Sequence, residues 1–173
     1  MPFLRRLFYR IFALLDEIPE ADEGYVELVN SRVDENGNIT ESDVRTGHWA
    51  WKHRHGTGEI TYTELKGDIQ LVNVDFGYTE DKIVLHDVSV YAKPGQKIAF
   101  VGATGAGKTT ILSLIVRNFE IQKGQILIDD IDITKIKIKS LRKAIGQMLQ
   151  DVFLFSGTIE ENISMNEEGI TEE

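Results

Sequence analysis

Gly102-Ala-Thr-Gly-Ala-Gly-Lys-Thr109 decides how this chain is read, because it fills every fixed position of the phosphate-binding pattern Gly-x4-Gly-Lys-Ser/Thr. Gly102, Gly105 and Gly107 let the backbone turn with no Cβ in the way. Successive N–H groups along Gly102, Ala103, Thr104, Gly105, Ala106, Gly107, Lys108 and Thr109 can then converge on phosphates at the positive end of a helix. Lys108 adds a mobile point charge for the terminal phosphates. Thr109 offers a hydroxyl to Mg²⁺, which keeps most of its shell as water and phosphate oxygen and so needs few protein ligands. Thr110 reads as a packing or capping residue and closes the candidate set. The flanks fit the motif. Lys97-Ile-Ala-Phe-Val101 reads as a short buried strand, and Thr109-Thr-Ile-Leu-Ser-Leu-Ile-Val-Arg117 as a helix with one apolar face. The chain is expected to bind a nucleoside triphosphate with Mg²⁺.

Composition narrows what else is possible. With 173 residues, 42% hydrophobic and 27% charged, the chain can bury one ordinary core and carry a small appendage. The net charge is −9, and acids gather late in the chain at Glu160, Glu161, Glu167, Glu168, Glu172 and Glu173, which argues against nucleic acid as a partner. The absence of cysteine excludes disulfides and Cys-ligated metal, and it fits a reducing compartment. No apolar run approaches the roughly 20 residues of a membrane span.

Three zones follow. Residues 3–18 place Phe3, Leu4, Leu7, Phe8, Ile11, Phe12, Leu14, Leu15 and Ile18 at helical spacing among Arg5, Arg6 and Arg10, predicting an amphipathic helix that ends before Pro19. The broken apolar pattern does not read as a signal peptide. Between residues 30 and 66, Asp34-Glu-Asn-Gly-Asn38 is a turn cluster. His48-Trp-Ala-Trp-Lys-His53 and Glu59-Ile-Thr-Tyr-Thr-Glu-Leu65 alternate as two strands of a hairpin around Gly56-Thr-Gly58. Trp49 and Trp51 share a face and read as core. His48, His53 and His55 match no standard metal spacing and read as strand histidines. From residue 67 onward, strands are expected at 69–74, 84–85, 88–90, 97–101 and 125–129, with helices at 108–118 and 140–145.

The stretch from Gly67 resembles the nucleotide-binding domain of ATP-binding cassette (ABC) transporters of the exporter type, through motifs in a fixed order. Val74-Asp-Phe-Gly-Tyr78 resembles the family's A-loop, whose aromatic residue, here Tyr78, stacks on adenine. Val84-Leu-His-Asp-Val-Ser89 and Lys93-Pro-Gly-Gln-Lys97 resemble the approach to the Walker A loop. Gly146-Gln-Met-Leu-Gln-Asp-Val-Phe-Leu-Phe-Ser-Gly-Thr-Ile-Glu-Glu-Asn-Ile163 is similar to the Q-loop region, which faces the membrane domain in that family; Gln150 takes the place of the residue that reaches Mg²⁺ and the attacking water. Arg10-Ile-Phe-Ala-Leu-Leu-Asp-Glu-Ile-Pro19 resembles the connector from the last membrane helix. The implied fold class is α/β, a P-loop NTPase (RecA-like) core with an antiparallel β subdomain, incomplete, preceded by an amphipathic helix and a β-hairpin insertion. Its implied divisions are residues 1–29 as connector, 30–66 as insertion and 67–173 as the N-terminal part of the nucleotide-binding domain. The implied partners are a second nucleotide-binding domain and the transmembrane domain of an exporter. The implied location is the cytoplasmic face of a membrane for the complete protein, and soluble or peripheral for this chain alone.

Three features limit the resemblance. Ile126-Leu-Ile-Asp-Asp130 imitates a Walker B strand, but it precedes the Q-loop and runs into a turn at Asp129-Asp130-Ile-Asp132, so it reads as structural. His86 reads as a surface residue rather than the family's switch histidine. Nothing resembling Leu-Ser-Gly-Gly-Gln, a Walker B strand followed by Glu, or the switch His occurs before Glu173. The chain is therefore expected to stop inside the domain and to bind MgATP without meaningful hydrolysis, since phosphoryl transfer needs an oriented water as well as a phosphate cradle. A non-catalytic nucleotide-binding fragment is one alternative. Another is a self-contained P-loop GTPase or kinase, against which stand the upstream aromatic A-loop and the absence of Asn-Lys-x-Asp.

Overall fold

A computed structural model of the chain describes Phe12 and residues 20–79, 81–148 and 153–165. Two four-stranded antiparallel sheets form its framework. The first has strand order β2-β1-β3-β4, from β1 (Val26–Val33), β2 (Ile39–Glu41), β3 (Trp49–Arg54) and β4 (Ile60–Glu64). The second has order β6-β5-β7-β8, from β5 (Ile69–Thr79), β6 (Lys82–Ala92), β7 (Lys123–Ile128) and β8 (Ile131–Asp132). The helices are α1 (Lys108–Ile115), α2 (Ile138–Ala144) and α3 (Ile159–Ser164), with a 3₁₀ turn at Ile133–Lys135. No described helix is long and apolar enough to cross a membrane. The predicted amphipathic helix over 3–18 lies, apart from Phe12, outside the described residues.

Local chemistry explains the first sheet. The turn cluster after β1 closes because Asp34 Oδ1 accepts from the N–H of Asn36 and of Asn38 at 2.9 and 2.8 Å, while Gly37 takes φ 83°. These bonds hold the Asp34 carboxyl below the usual carboxylate range, led by the side chain and backbone of Asn38. The expected hairpin is β3 and β4, paired from Ala50↔Glu64 to Arg54↔Ile60. It belongs to a larger sheet, however, because β1 lies along β3 with Leu28 opposite Trp51.

The two sheets share one apolar core. Val26 and Trp51 from the first cluster with Leu71, Val74, Phe76, Ile126 and Ile128 from the second, and with Leu114 and Leu141 from α1 and α2. Full burial of each such aliphatic side chain contributes about 1.5–3 kcal/mol. Polar staples fix the junction. Tyr25 N–H donates to Lys135 O at 2.8 Å and Lys137 N–H to Val26 O at 2.9 Å, around a parallel bridge between Val26 and Ile136. Arg142 grips Glu20 through two bonds of 2.9 and 2.7 Å and also donates to the carbonyls of Val116 and Arg117 at the end of α1. The Arg142 bond lowers the Glu20 pKa, and the Lys137 bond lowers that of Glu27.

Asp129 is a further staple. Asp129 and Asp130 both have positive φ, 51° and 62°, and make a two-residue turn between the paired Ile128 and Ile131. From there the Asp129 carboxylate accepts from the indole N–H of fully buried Trp51 at 2.9 Å and from the backbone N–H groups of Lys66 and Asp68 at 3.0 and 2.9 Å. One side chain thus ties both sheets and the segment between them.

One expected element does not form. Residues 97–101 are not a strand, and Val101 is 95% exposed rather than buried. A strand is held by its ladder, and among the described residues none pairs with this segment; both sheets are antiparallel and built from other residues. The apolar run Ile98, Phe100 and Val101 has strand composition without a neighbour. By contrast, the separate runs expected at 84–85 and 88–90 merge into β6, because β5 offers it a continuous edge with bulges.

Candidate nucleotide-binding site

Strands β5 and β6, the glycine-rich loop and α1 converge on a cleft of about 500 Å³, within the size range of small-molecule sites. It is lined by Tyr78 and Thr79 of β5, Lys82 and Val84 of β6, and Thr104, Gly105, Gly107, Lys108, Thr109 and Thr110 of the loop and α1.

The loop's conformation follows from its glycines. Gly105 and Gly107 adopt φ 84° and 87°, and Gly107 caps α1 in the left-handed region. A Cβ on Gly107 would be strained at this φ and would lie 2.6 Å from Leu85 Cδ2, so the loop packs closely on β6 with glycine here. Ala106 N–H donates to Ala103 O at 3.2 Å, and Lys108 Nζ folds over the loop to the carbonyls of Gly102 and Ala103 at 2.8 and 2.7 Å. The Lys108 ammonium therefore stands over the loop at the start of α1, where helix dipole and N–H groups favour an anion. Thr109 is exposed toward the cleft, whereas Thr110 is buried and its Oγ1 meets Tyr78 Oη at 3.0 Å.

Tyr78 lines the same cleft from β5. Its ring is 56% exposed and meets Phe76 and Phe119 edge to face, with centroids at 5.1 and 5.2 Å. The cleft thus combines an aromatic platform with a backbone-lined cationic loop. That donor set fits a nucleotide, and the Thr109 hydroxyl fits Mg²⁺ that takes its remaining ligands from phosphate and water. No cluster of three or more His, Cys, Asp or Glu side chains capable of holding a metal occurs among the described residues.

Comparison with known proteins gives the family. The ABC transporter model matches residues 85–172. The chain belongs to the ABC transporter family. An ABC transporter ATP-binding protein of Bacillus subtilis is 36% identical over 167 residues, covering 95% of this chain and 26% of the relative. A β-(1→2)glucan export ATP-binding/permease protein of Rhizobium johnstonii is 45% identical over 118 residues, 68% of this chain and 20% of the relative. The solved structure of a bacterial Atm1-family ABC exporter with ATP bound superposes with TM-score 0.58 at 39% identity, over 62% of this chain and 19% of that one. The chain therefore spans about a quarter or less of the length of the relatives it matches. These matches also show the P-loop NTPase fold class; the antiparallel sheets and few helices described are consistent with an incomplete α/β core.

The structure brings Tyr78 together with Thr104, Gly105, Gly107, Lys108, Thr109 and Thr110. Gly102, Ala103 and Ala106 shape the loop without lining the cleft. Gln150, expected to be the catalytic and Mg²⁺-directed residue, lies outside the described residues. Asp129 has its carboxylate committed to Trp51, Lys66 and Asp68, and His86 is exposed on β6. Sequence reasoning missed Thr79, Lys82 and Val84 as lining residues; their only signal was proximity to Tyr78 across the β5–β6 turn.

Proposed function

We propose that the chain is the ATP-binding part of an ABC exporter, with adenine on Tyr78, the phosphates in the loop from Gly102 to Thr109 beneath Lys108, and Mg²⁺ on the Thr109 hydroxyl. The observation that carries this is the single cleft joining an exposed aromatic ring to the phosphate loop. Mg²⁺ supplies charge neutralisation to the phosphates when bound. The chain's own groups would supply the rest: loop N–H groups and the Lys108 ammonium orient the phosphates, Tyr78 orients the base, and Gln150 would act toward Mg²⁺ and the attacking water, as its place in the family resemblance implies.

In a complete exporter, two such domains close over ATP and move a transmembrane domain. The partner surface we assign to the latter is the apolar stretch of Phe153, Leu154, Phe155, Ile159 and Ile163, all exposed. It is presented by a braced turn, in which Asn162 Oδ1 accepts from Phe155 N–H at 2.8 Å and Asn162 Nδ2 donates to Phe155 O at 3.0 Å. A contiguous exposed apolar patch of this kind marks a docking surface.

These 173 residues contain no signature loop, Walker B strand or switch His, so the chain alone binds MgATP without efficient turnover. The test compares ATP and GTP binding by the chain and by Tyr78→Ala, alongside phosphate release. The proposal expects ATP affinity to fall about five- to a hundredfold on loss of the stacking ring, with turnover no greater than in Lys108→Ala. Unchanged ATP affinity in Tyr78→Ala would remove the adenine assignment. Turnover well above the Lys108→Ala control would remove the claim of binding without hydrolysis.

A further inference from the structure

The orientation of Tyr78 is not set by the β5 ladder alone. The β5–β6 register shifts between Val74 and Phe76, between Phe76 and Gly77, and again between Gly77 and Thr79. On the other edge, the β5–β7 ladder ends at Asp75↔Lys123, with one further bond from Gln122 N–H to Asp75 O at 3.1 Å. Beyond that point β7 offers β5 no backbone.

The next rung is made by a side chain. Gln122 Oε1 accepts from Gly77 N–H at 2.8 Å, and Gln122 Nε2 donates to Gly77 O at 2.8 Å. A primary amide carries one acceptor and two donors, so it can imitate a paired peptide unit where a carboxylate or an aliphatic chain cannot. Gly77 is in turn pressed against β6: a Cβ there would lie 2.2 Å from Lys82 O. The residue before Tyr78 is thus clamped between a strand backbone and an amide. The same connection after α1 supplies Phe119, whose ring meets Tyr78 at 89°.

Resting on the reading of Tyr78 as the adenine platform, we propose that Gln122 is a positioning residue for nucleotide binding. Its amide, acting through the Gly77 backbone, holds Tyr78 at the angle from which the ring accepts a base. It touches no nucleotide itself, so its effect is confined to the base-dependent part of affinity.

The experiment titrates the 173-residue chain and its Gln122→Met, Gln122→Glu, Tyr78→Ala and Tyr78→Ala/Gln122→Met variants with two probes, MgATP and magnesium tripolyphosphate. Gln122→Met keeps the length and loses both bonds, whereas Gln122→Glu keeps the acceptor and loses the donor. For MgATP, we expect a loss of about fivefold in Gln122→Met and a smaller loss in Gln122→Glu. Tripolyphosphate affinity should be unchanged throughout, and Gln122→Met should add nothing in the Tyr78→Ala background. Equal losses for both probes would overturn the proposal, since Gln122 would then support the loop or the fold at large. Full additivity with Tyr78→Ala, or no loss of ATP affinity, would overturn it as well. If Tyr78→Ala itself binds MgATP like the parent chain, the reading of the site falls and takes this proposal with it; if only the Gln122 variants are silent, the site stands and the proposal alone falls.

Discussion

Replacing Asp129 by Ala removes three acceptor contacts at once, and their environments set the size of the effect. The Trp51 indole N–H is fully buried and has no water to turn to, so orphaning it costs about 1–3 kcal/mol. The N–H groups of Lys66 and Asp68 lie nearer solvent and recover part of their bonding there, for about 0.5–1 kcal/mol each. The sum is about 3 kcal/mol, which in urea moves the midpoint by about 1.5 M for an m-value near 2 kcal/mol/M. Asp129→Asn separates these contributions from backbone strain, because Asn tolerates φ 51° as Asp does but keeps only one acceptor oxygen; about half the loss is expected. The assay is urea unfolding followed by the fluorescence of Trp49 and Trp51 and by far-UV circular dichroism. Mg²⁺-dependent ATP binding by the folded Asp129→Asn variant should match the parent. A loss below about 0.5 kcal/mol in Asp129→Ala would refute the staple. Intact stability with abolished Mg²⁺-dependent binding would show that Asp129 serves the phosphate site after all.

Two further outcomes follow from the junction between the sheets. Arg142→Met should destabilise the chain by about 1–2 kcal/mol, since it releases Glu20 and the carbonyls at the end of α1. In the parent chain the Glu20 part of this contribution is complete above the ordinary Glu range and is lost as pH falls through the depressed folded value, so the gap between the two melting temperatures should narrow in acid to the share of the Val116 and Arg117 carbonyl bonds. His53 has its pKa lowered first by desolvation and then by the charges of His55, whose ring stacks on it at 4.2 Å, and of Lys135. The fold therefore favours neutral His53. Stability should fall as pH drops from about 6.5 toward the depressed value, and a thermal-melt series on His53→Gln should show a shallower slope over that window.

How much was legible in the sequence depended on whether a residue's role is local or long-range. The turn of the loop from Gly102 to Thr109 was legible because glycine spacing encodes local backbone geometry, whereas Tyr78 entered only through the resemblance of Val74–Tyr78 to a family motif. The β3–β4 hairpin and α1 were legible from period and turn chemistry. Strand β1 was not, because Val26-Glu-Leu-Val-Asn-Ser-Arg-Val33 alternates imperfectly and is held by pairing with Trp49–His53. The opposite error occurred at residues 97–101, where strand composition is present and a partner is not. Helix α3 carried a readable start that went unused: Thr158 and Glu161 form a capping box, with Glu161 N–H to Thr158 Oγ1 at 3.1 Å and Thr158 N–H to Glu161 Oε2 at 2.7 Å. Gln122 had no sequence signal, since its role exists only once Gly77 has been brought beside it.

The central claim is that one cleft holds base and phosphates together, with Lys108 as its cationic lid. The most direct measurement is isothermal titration of MgATP into the chain and into Lys108→Ala. The account predicts one saturable site per chain and a loss of affinity of about ten- to a hundredfold in Lys108→Ala, from charge-assisted bonds of about 1.5–3 kcal/mol. Equal affinities in the two proteins, or no saturable binding in the parent chain, would contradict it.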